Sequence, residues 1–219
     1  LLKYFFYLAF NWNIKIAFHI IKNEIRGEKK YGINTTGADE LKKLISKDID
    51  ISHATIYMPA SYDLLEAVFK KTQIHLFKHL VDIGCGKGRS LCVAAYFGAK
   101  KLTGIDFSNE FCKDAKLNLT KTKLHFPDIN FTIIHNDAFY FEIAKDVDCI
   151  FMFNPFDETI MSGVINNINE SLLKSPRKIT VIYFNPMQKH LFLNNGFEEE
   201  FHTKALQYLE AAVYIKNPQ

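Results

Sequence analysis

The sequence predicts an α/β fold, a doubly wound and mostly parallel sheet of seven strands preceded by an N-terminal helical extension. Three observations carry this expectation. A short apolar strand, Val81-Asp82-Ile83, breaks into the turn Gly84-Cys85-Gly86-Lys87-Gly88, which passes straight into a helix. Apolar runs of strand length then alternate with helical patterns through the middle of the chain. The chain closes on two β segments with no helix between them, as an antiparallel hairpin finishing a parallel sheet would.

Residues 1–50 form the extension and residues 51–219 the main domain. Residues 1–21 are apolar and aromatic but interrupted by Lys3, Asn11, Asn13, Lys15 and His19. A spanning helix needs about 20 largely uncharged residues, so the segment reads as an amphipathic helix, packed on a core or an oligomer partner, or lying weakly on a membrane surface. The apolar run 4–10 lacks a small-residue cleavage site, and an opening on Leu1 implies residues before it. Residues 26–34 are polar, and Thr36, three residues before Asp39, starts a helix over about 40–46. A loop over residues 52–61 leads into a helix over 62–71, with Leu64, Leu65, Val68 and Phe69 on its apolar face and Ser61 as its N-cap.

Beyond the glycine turn the pattern gives a helix over 90–97, a strand over 102–105 ending at Asp106, and a helix that Ser108 can cap. A third strand, 131–134, runs into His135-Asn136-Asp137-Ala138-Phe139. The fourth, 148–153, is almost wholly apolar, as a central strand covered on both faces should be, and stops at Asn154-Pro155-Phe156-Asp157. Ile160, Val164, Ile168 and Leu172 then mark one face of a helix. A fifth strand, 178–183, and a short helix, 187–194, ended by Asn195-Gly196, precede β segments near 197–202 and 206–215.

The turn is where chemistry concentrates. Gly84, Gly86 and Gly88 let the backbone bend sharply and a ligand approach it closely. The dinucleotide pattern G-x-G-x-x-G would place glycine at Arg89, so the spacing G-x-G-x-G disfavours NAD. Asp106 lies at about the twenty-residue offset where a carboxylate meets ribose hydroxyls, although it can also simply cap the following helix. The segment Asp82-Ile83-Gly84-Cys85-Gly86-Lys87-Gly88 resembles motif I of the class I S-adenosyl-L-methionine (SAM) dependent methyltransferases, a Rossmann-like fold.

That resemblance implies a set of roles. Asp82 would face the charged amino-acid end of SAM, with Gly84, Cys85, Gly86 and Gly88 as the turn. Asp106 and Phe107 would lie at the ribose, and Asp137 would accept from the adenine amine with the Ala138 N–H facing the ring. Asn154-Pro155-Phe156 resembles the motif IV tetrapeptide of nitrogen methyltransferases, with one proline in place of two, and the Asn-Asn-Phe segment of Dot1-like protein lysine methyltransferases. Tyr57, Pro59 and Ser61 match the Tyr-x-Pro-Thr loop that lies over the methionine end in the latter group. The implied reaction is methyl transfer to nitrogen. Asn154 and a nearby carbonyl would aim an amine lone pair, and Phe156 would pack beside it. For the same turn chemistry, Pro155 can end a strand and Asp157 can cap a helix.

The remaining composition narrows the field. The chain has 219 residues, 48% of them apolar, enough for one substantial core. Its net charge of +3 is scattered, so nucleic-acid binding is not supported. Cys85, Cys92, Cys112 and Cys149 show no metal-ligand spacing and read as reduced thiols in a cytoplasmic setting. The expected acceptor is a protein or a small amine. Three alternatives stand beside the leading one: an inactive SAM-binding scaffold, an oxygen or carbon methyltransferase, and an aminopropyl transferase. An oxygen acceptor would call for a general base, for which His53 and His135 are the candidates.

Overall fold

The computed structural model describes residues 5–6, 9–10, 14–36, 59–153, 156–204 and 209–218. In chain order these hold α1 (Ile14–Tyr31), α2 (Tyr62–Lys71), β1 (Leu80–Ile83), α3 (Arg89–Tyr96), β2 (Lys101–Asp106), α4 (Asn109–His125) and β3 (Asn130–His135). There follow β4 (Cys149–Phe153), α5 (Glu158–Lys174), β5 (Ile179–Phe184), α6 (Lys189–Asn194), β6 (Glu198–Lys204) and β7 (Glu210–Lys216). The seven strands form one sheet in the order β3-β2-β1-β4-β5-β7-β6. The first five pair in parallel, and β7 enters antiparallel between β5 and β6.

Period-two alternation divides the core into two layers. On β4, Cys149 and Phe151 face the layer shared with Leu91, Val93 and Leu119, while Ile150 and Met152 face the layer of Met161, Val164 and Ile168. The central strands are buried on both faces, which explains their continuous apolar reading. Because β1 connects outward to β2 on one side and neighbours β4 on the other, the strand order reverses at β1. Ligands of open α/β sheets bind at such a point, outside the carboxyl ends of the strands.

The extension departs from the sequence expectation. The polar stretch after residue 25 is helical, and α1 continues to Tyr31. Its polar side chains have partners far along the chain: Arg26 meets Asp63 and Glu66, Lys30 meets Glu66, and Glu24 and Glu28 turn towards Arg89. Gly27 allows this packing, since a Cβ there would lie 2.1 Å from the Tyr62 ring. Tyr31 and Ile33 join the same apolar cluster as Leu65, Phe69 and Leu80. Ser61 precedes α2, but its hydroxyl caps nothing; its carbonyl accepts from Leu65 N at 3.0 Å. The expected helix over 40–46 lies outside the described residues.

Candidate active site

The site is built on the joint between β1, β2 and α3. Gly84, Gly86 and Gly88 all take positive φ, 79°, 51° and 79°, which side-chain-bearing residues rarely adopt. Gly88 is also pressed by α4, with the position of a Cβ only 3.2 Å from Ala115 Cβ. The turn is stitched to the end of β2: Gly84 N and Cys85 N both donate to the Ile105 carbonyl at 2.9 Å, and Gly88 N donates to the Cys85 carbonyl at 2.8 Å. Gly86 N donates to Asp106 Oδ2 at 2.8 Å. Four N–H groups of the turn are thus consumed internally. A pyrophosphate would need such donors aimed outward. What the turn offers a ligand is close approach and carboxylates.

Two carboxylates lie under it. Asp106 is buried, its second oxygen accepting from Ser108 N at 2.9 Å, so it ties the turn to the start of α4. The cap of α4 itself is Ser108, whose Oγ accepts from Phe111 N at 3.3 Å, and each Asp106 oxygen, engaged once, retains room for a further donor such as a hydroxyl. Burial outweighs both backbone N–H bonds and raises its pKa to about 6. Asp82 is fully enclosed. Ser90 Oγ donates to one of its oxygens, while Oδ1 has no partner. Burial pushes this carboxyl up to about 7. An orphaned acceptor in a closed site is costly unless a donor arrives. The ammonium of an amino-acid moiety is a donor that suits it, so these residues fit SAM.

The ends of β2 and β3 continue the rim, with Asp106 opposite His135 in register. Asn136 N donates to the Asp106 carbonyl at 3.1 Å. His135 Nε2 lies 2.8 Å from the Phe107 carbonyl, which can only accept, so the proton is on Nε2 and the ring holds Phe107 in place. This histidine braces Phe107 through Nε2, which leaves Nδ1 as the acceptor of the ring. Asp137 is exposed and accepts from Phe139 N at 2.9 Å, opening a single turn of 3₁₀ helix, Ala138–Tyr140, whose first residue is buried.

Two of the expected site residues, Cys85 and Phe156, have their side chains in the core. The Cys85 side chain points into the core beneath the turn, where a Cβ on Gly104 would come within 2.8 Å of its sulfur, and burial raises its pKa well above the usual thiol range. It shapes the turn from below through packing. Phe156 belongs to the apolar layer of Met152, Met161 and Phe192, so its ring is core and does not present a platform to the crevice. Asp157 caps α5, accepting from Ile160 N at 3.1 Å. Tyr57, His53, Asn154 and Pro155 lie outside the described residues. Among the described residues no group of His, Cys, Asp and Glu is arranged to hold a metal ion.

The residue that sequence reading left unexplained is Arg89. It is 3% exposed at the first position of α3, where the helix dipole disfavours a cation. Two forked bonds to Glu24 of 2.7 and 2.6 Å hold it, with Thr35 Oγ1 at 2.7 Å and the Ala60 carbonyl at 2.8 Å, and its guanidinium lies 4.1 Å from the Tyr62 ring centre. Asn118 of α4 adds a second tie, donating to the Asn34 and Lys87 carbonyls. The extension is thereby fastened to the residue that follows the third glycine. A cation at a helix start, together with the Glu24/Glu28 pair one turn apart, was the available signal.

Comparison with known proteins agrees with this architecture. A family described as a methyltransferase domain matches residues 75–214, well over half of the chain. No curated protein matches. Among solved structures, the fold resembles a putative methyltransferase, yhhF, from Escherichia coli, with a TM-score of 0.55 at 14% identity, covering 74% of this chain and 90% of that one. It also resembles the magnesium protoporphyrin IX methyltransferase of Synechocystis PCC 6803 with bound SAM, at 0.51 and 12%, covering 88% and 89%. A third likeness is the ribosomal protein L11 methylase of Lactobacillus delbrueckii subsp. bulgaricus, at 0.50 and 17%, covering 71% and 78%.

Proposed function

We propose a nitrogen acceptor for this chain, which belongs to the methyltransferase domain family and is a class I SAM-dependent methyltransferase. What supports nitrogen is the sequence Asn154-Pro155-Phe156, which in the chain comes directly after β4, a strand beside the switch point of the sheet. Bound SAM supplies a methyl group on a sulfonium sulfur, and an in-line displacement needs a neutral lone pair held close to that carbon. An Asn oxygen accepts an amine proton and turns the lone pair towards the methyl group. The proton released by the product passes to solvent, so no buried base is required.

An oxygen acceptor would need such a base. Of the two candidate histidines, His53 lies outside the described residues and His135 is engaged with the Phe107 carbonyl. The acceptor in this reading is a protein amine, such as a lysine side chain, or a small amine. The four cysteines are all buried free thiols, which supports a reducing, cytoplasmic setting.

Incubation with methyl-labelled SAM and a host extract, followed by product analysis, tests the reading. Label in methylated amines is expected, and label confined to esters or ethers would overturn it. Asn154→Ala is expected to lower the single-turnover rate by about 10²-fold while SAM affinity stays nearly constant. A large fall in affinity at an unchanged rate would make Asn154 a cofactor or structural residue.

A further inference from the structure

We propose that the outer face of α1 docks on the surface of an anionic lipid bilayer. The helix carries two acids, Glu24 and Glu28, and both turn inward to Arg89 and the Thr35–Thr36 segment. Arg26 and Lys30 are occupied by the acids of α2. Lys15, Lys22 and Lys29 remain, exposed and seven residues apart, so they stand in one row, and no acid among the described residues pairs with them.

An apolar row runs beside the lysines. Ile14, Phe18 and Ile25 share one side of the helix and are 59%, 63% and 52% exposed. Phe6 and Phe10, in a segment that packs back against α1 with the Phe5 ring 4.9 Å from that of Phe18, add further exposed apolar surface at 62% and 93%. These side chains are outside although the same segment packs well on its inner side, where Phe5, Ala9, Ile20 and Ile21 surround Ala17. So much exposed apolar surface marks an interaction face.

The two rows together select the occupant. Aromatic and branched side chains sink to the headgroup level of a bilayer, while lysine stems lie along them and carry their charges to anionic headgroups. An acidic protein would answer the lysines and leave a 93% exposed ring in water. A second copy related by a two-fold axis would cover the apolar row but bring one lysine row near the other. No helix among the described residues is long and apolar enough to cross a membrane, so the contact is with the surface.

Sedimentation of the full chain with phosphatidylcholine vesicles, with and without phosphatidylserine, tests this. Binding is expected with the anionic vesicles only, weakening with added salt. It should fall at least about tenfold in Phe10→Ser/Ile14→Ser and in Lys15→Glu/Lys22→Glu, while SAM affinity, which reports the intact fold, stays unchanged. Absence of binding to anionic vesicles, or equal binding by the variants, would overturn the proposal. If the chain instead forms a dimer that Phe10→Ser/Ile14→Ser dissolves, the face is an interface between copies.

Discussion

Asp82 couples the stability of the turn to pH. Its folded pKa of about 7 lies above that of a free aspartate, so between about pH 4 and pH 7 the folded chain holds a proton that the unfolded chain has released. Stability must therefore fall as pH rises through that window, with Asp106 adding a smaller effect of the same sign. Asp82→Asn should flatten part of this slope and stabilise the protein at neutral pH by on the order of a few kcal/mol, because the buried charge is gone. It should at the same time weaken SAM binding, since the amide is a poorer partner for an ammonium. Chemical denaturation across pH together with SAM titration would show both effects, and unchanged affinity would remove Asp82 from the site. Arg89 has the opposite character. Arg89→Leu leaves Glu24 buried and unpaired at a cost of about 3–5 kcal/mol, and adding Glu24→Leu should restore most of the loss, measured as the denaturation midpoint. Asp82, the glycines and Asp106 were legible because their chemistry is local to a strand end and a turn. Arg89 was not, because its partner Glu24 lies 65 positions earlier in the chain.

The elements divide along the same line. Strands β1, β4 and β5 were readable because burial on both faces makes them continuous apolar runs, and α2 because its apolar face repeats at helical spacing. The C-terminal part of α1 was not, since Arg26, Glu28 and Lys30 look like part of a solvated loop until α2 and Arg89 supply their counter-charges. Ser61 shows a further limit, for the residue type fits an N-cap but its hydroxyl forms no cap bond. Close packing of α1 on α2 rests on Gly27. Gly27→Ala should force the Tyr62 ring aside and cost about 1–3 kcal/mol, visible as a lowered thermal midpoint and faster proteolysis within α1. A midpoint equal to that of the parent would mean that α1 is not held as described.

For the whole molecule, the alternation of strands and helices fixed the fold class, and right-handed crossovers leave few orders for a sheet that ends in a hairpin. The internal bonding of the turn adds what spacing alone did not show, that the N–H groups of Gly84, Cys85, Gly86 and Gly88 are turned to protein acceptors and not to a pyrophosphate. Calorimetric titration of the purified chain with SAM and with NAD, repeated on Asp106→Ala, reads this directly. Saturable SAM binding, weakened by about 1–3 kcal/mol in the variant, and no response to NAD is the expected result. Saturable NAD binding with none for SAM, or full SAM affinity in Asp106→Ala, would contradict the account of the turn and its carboxylates.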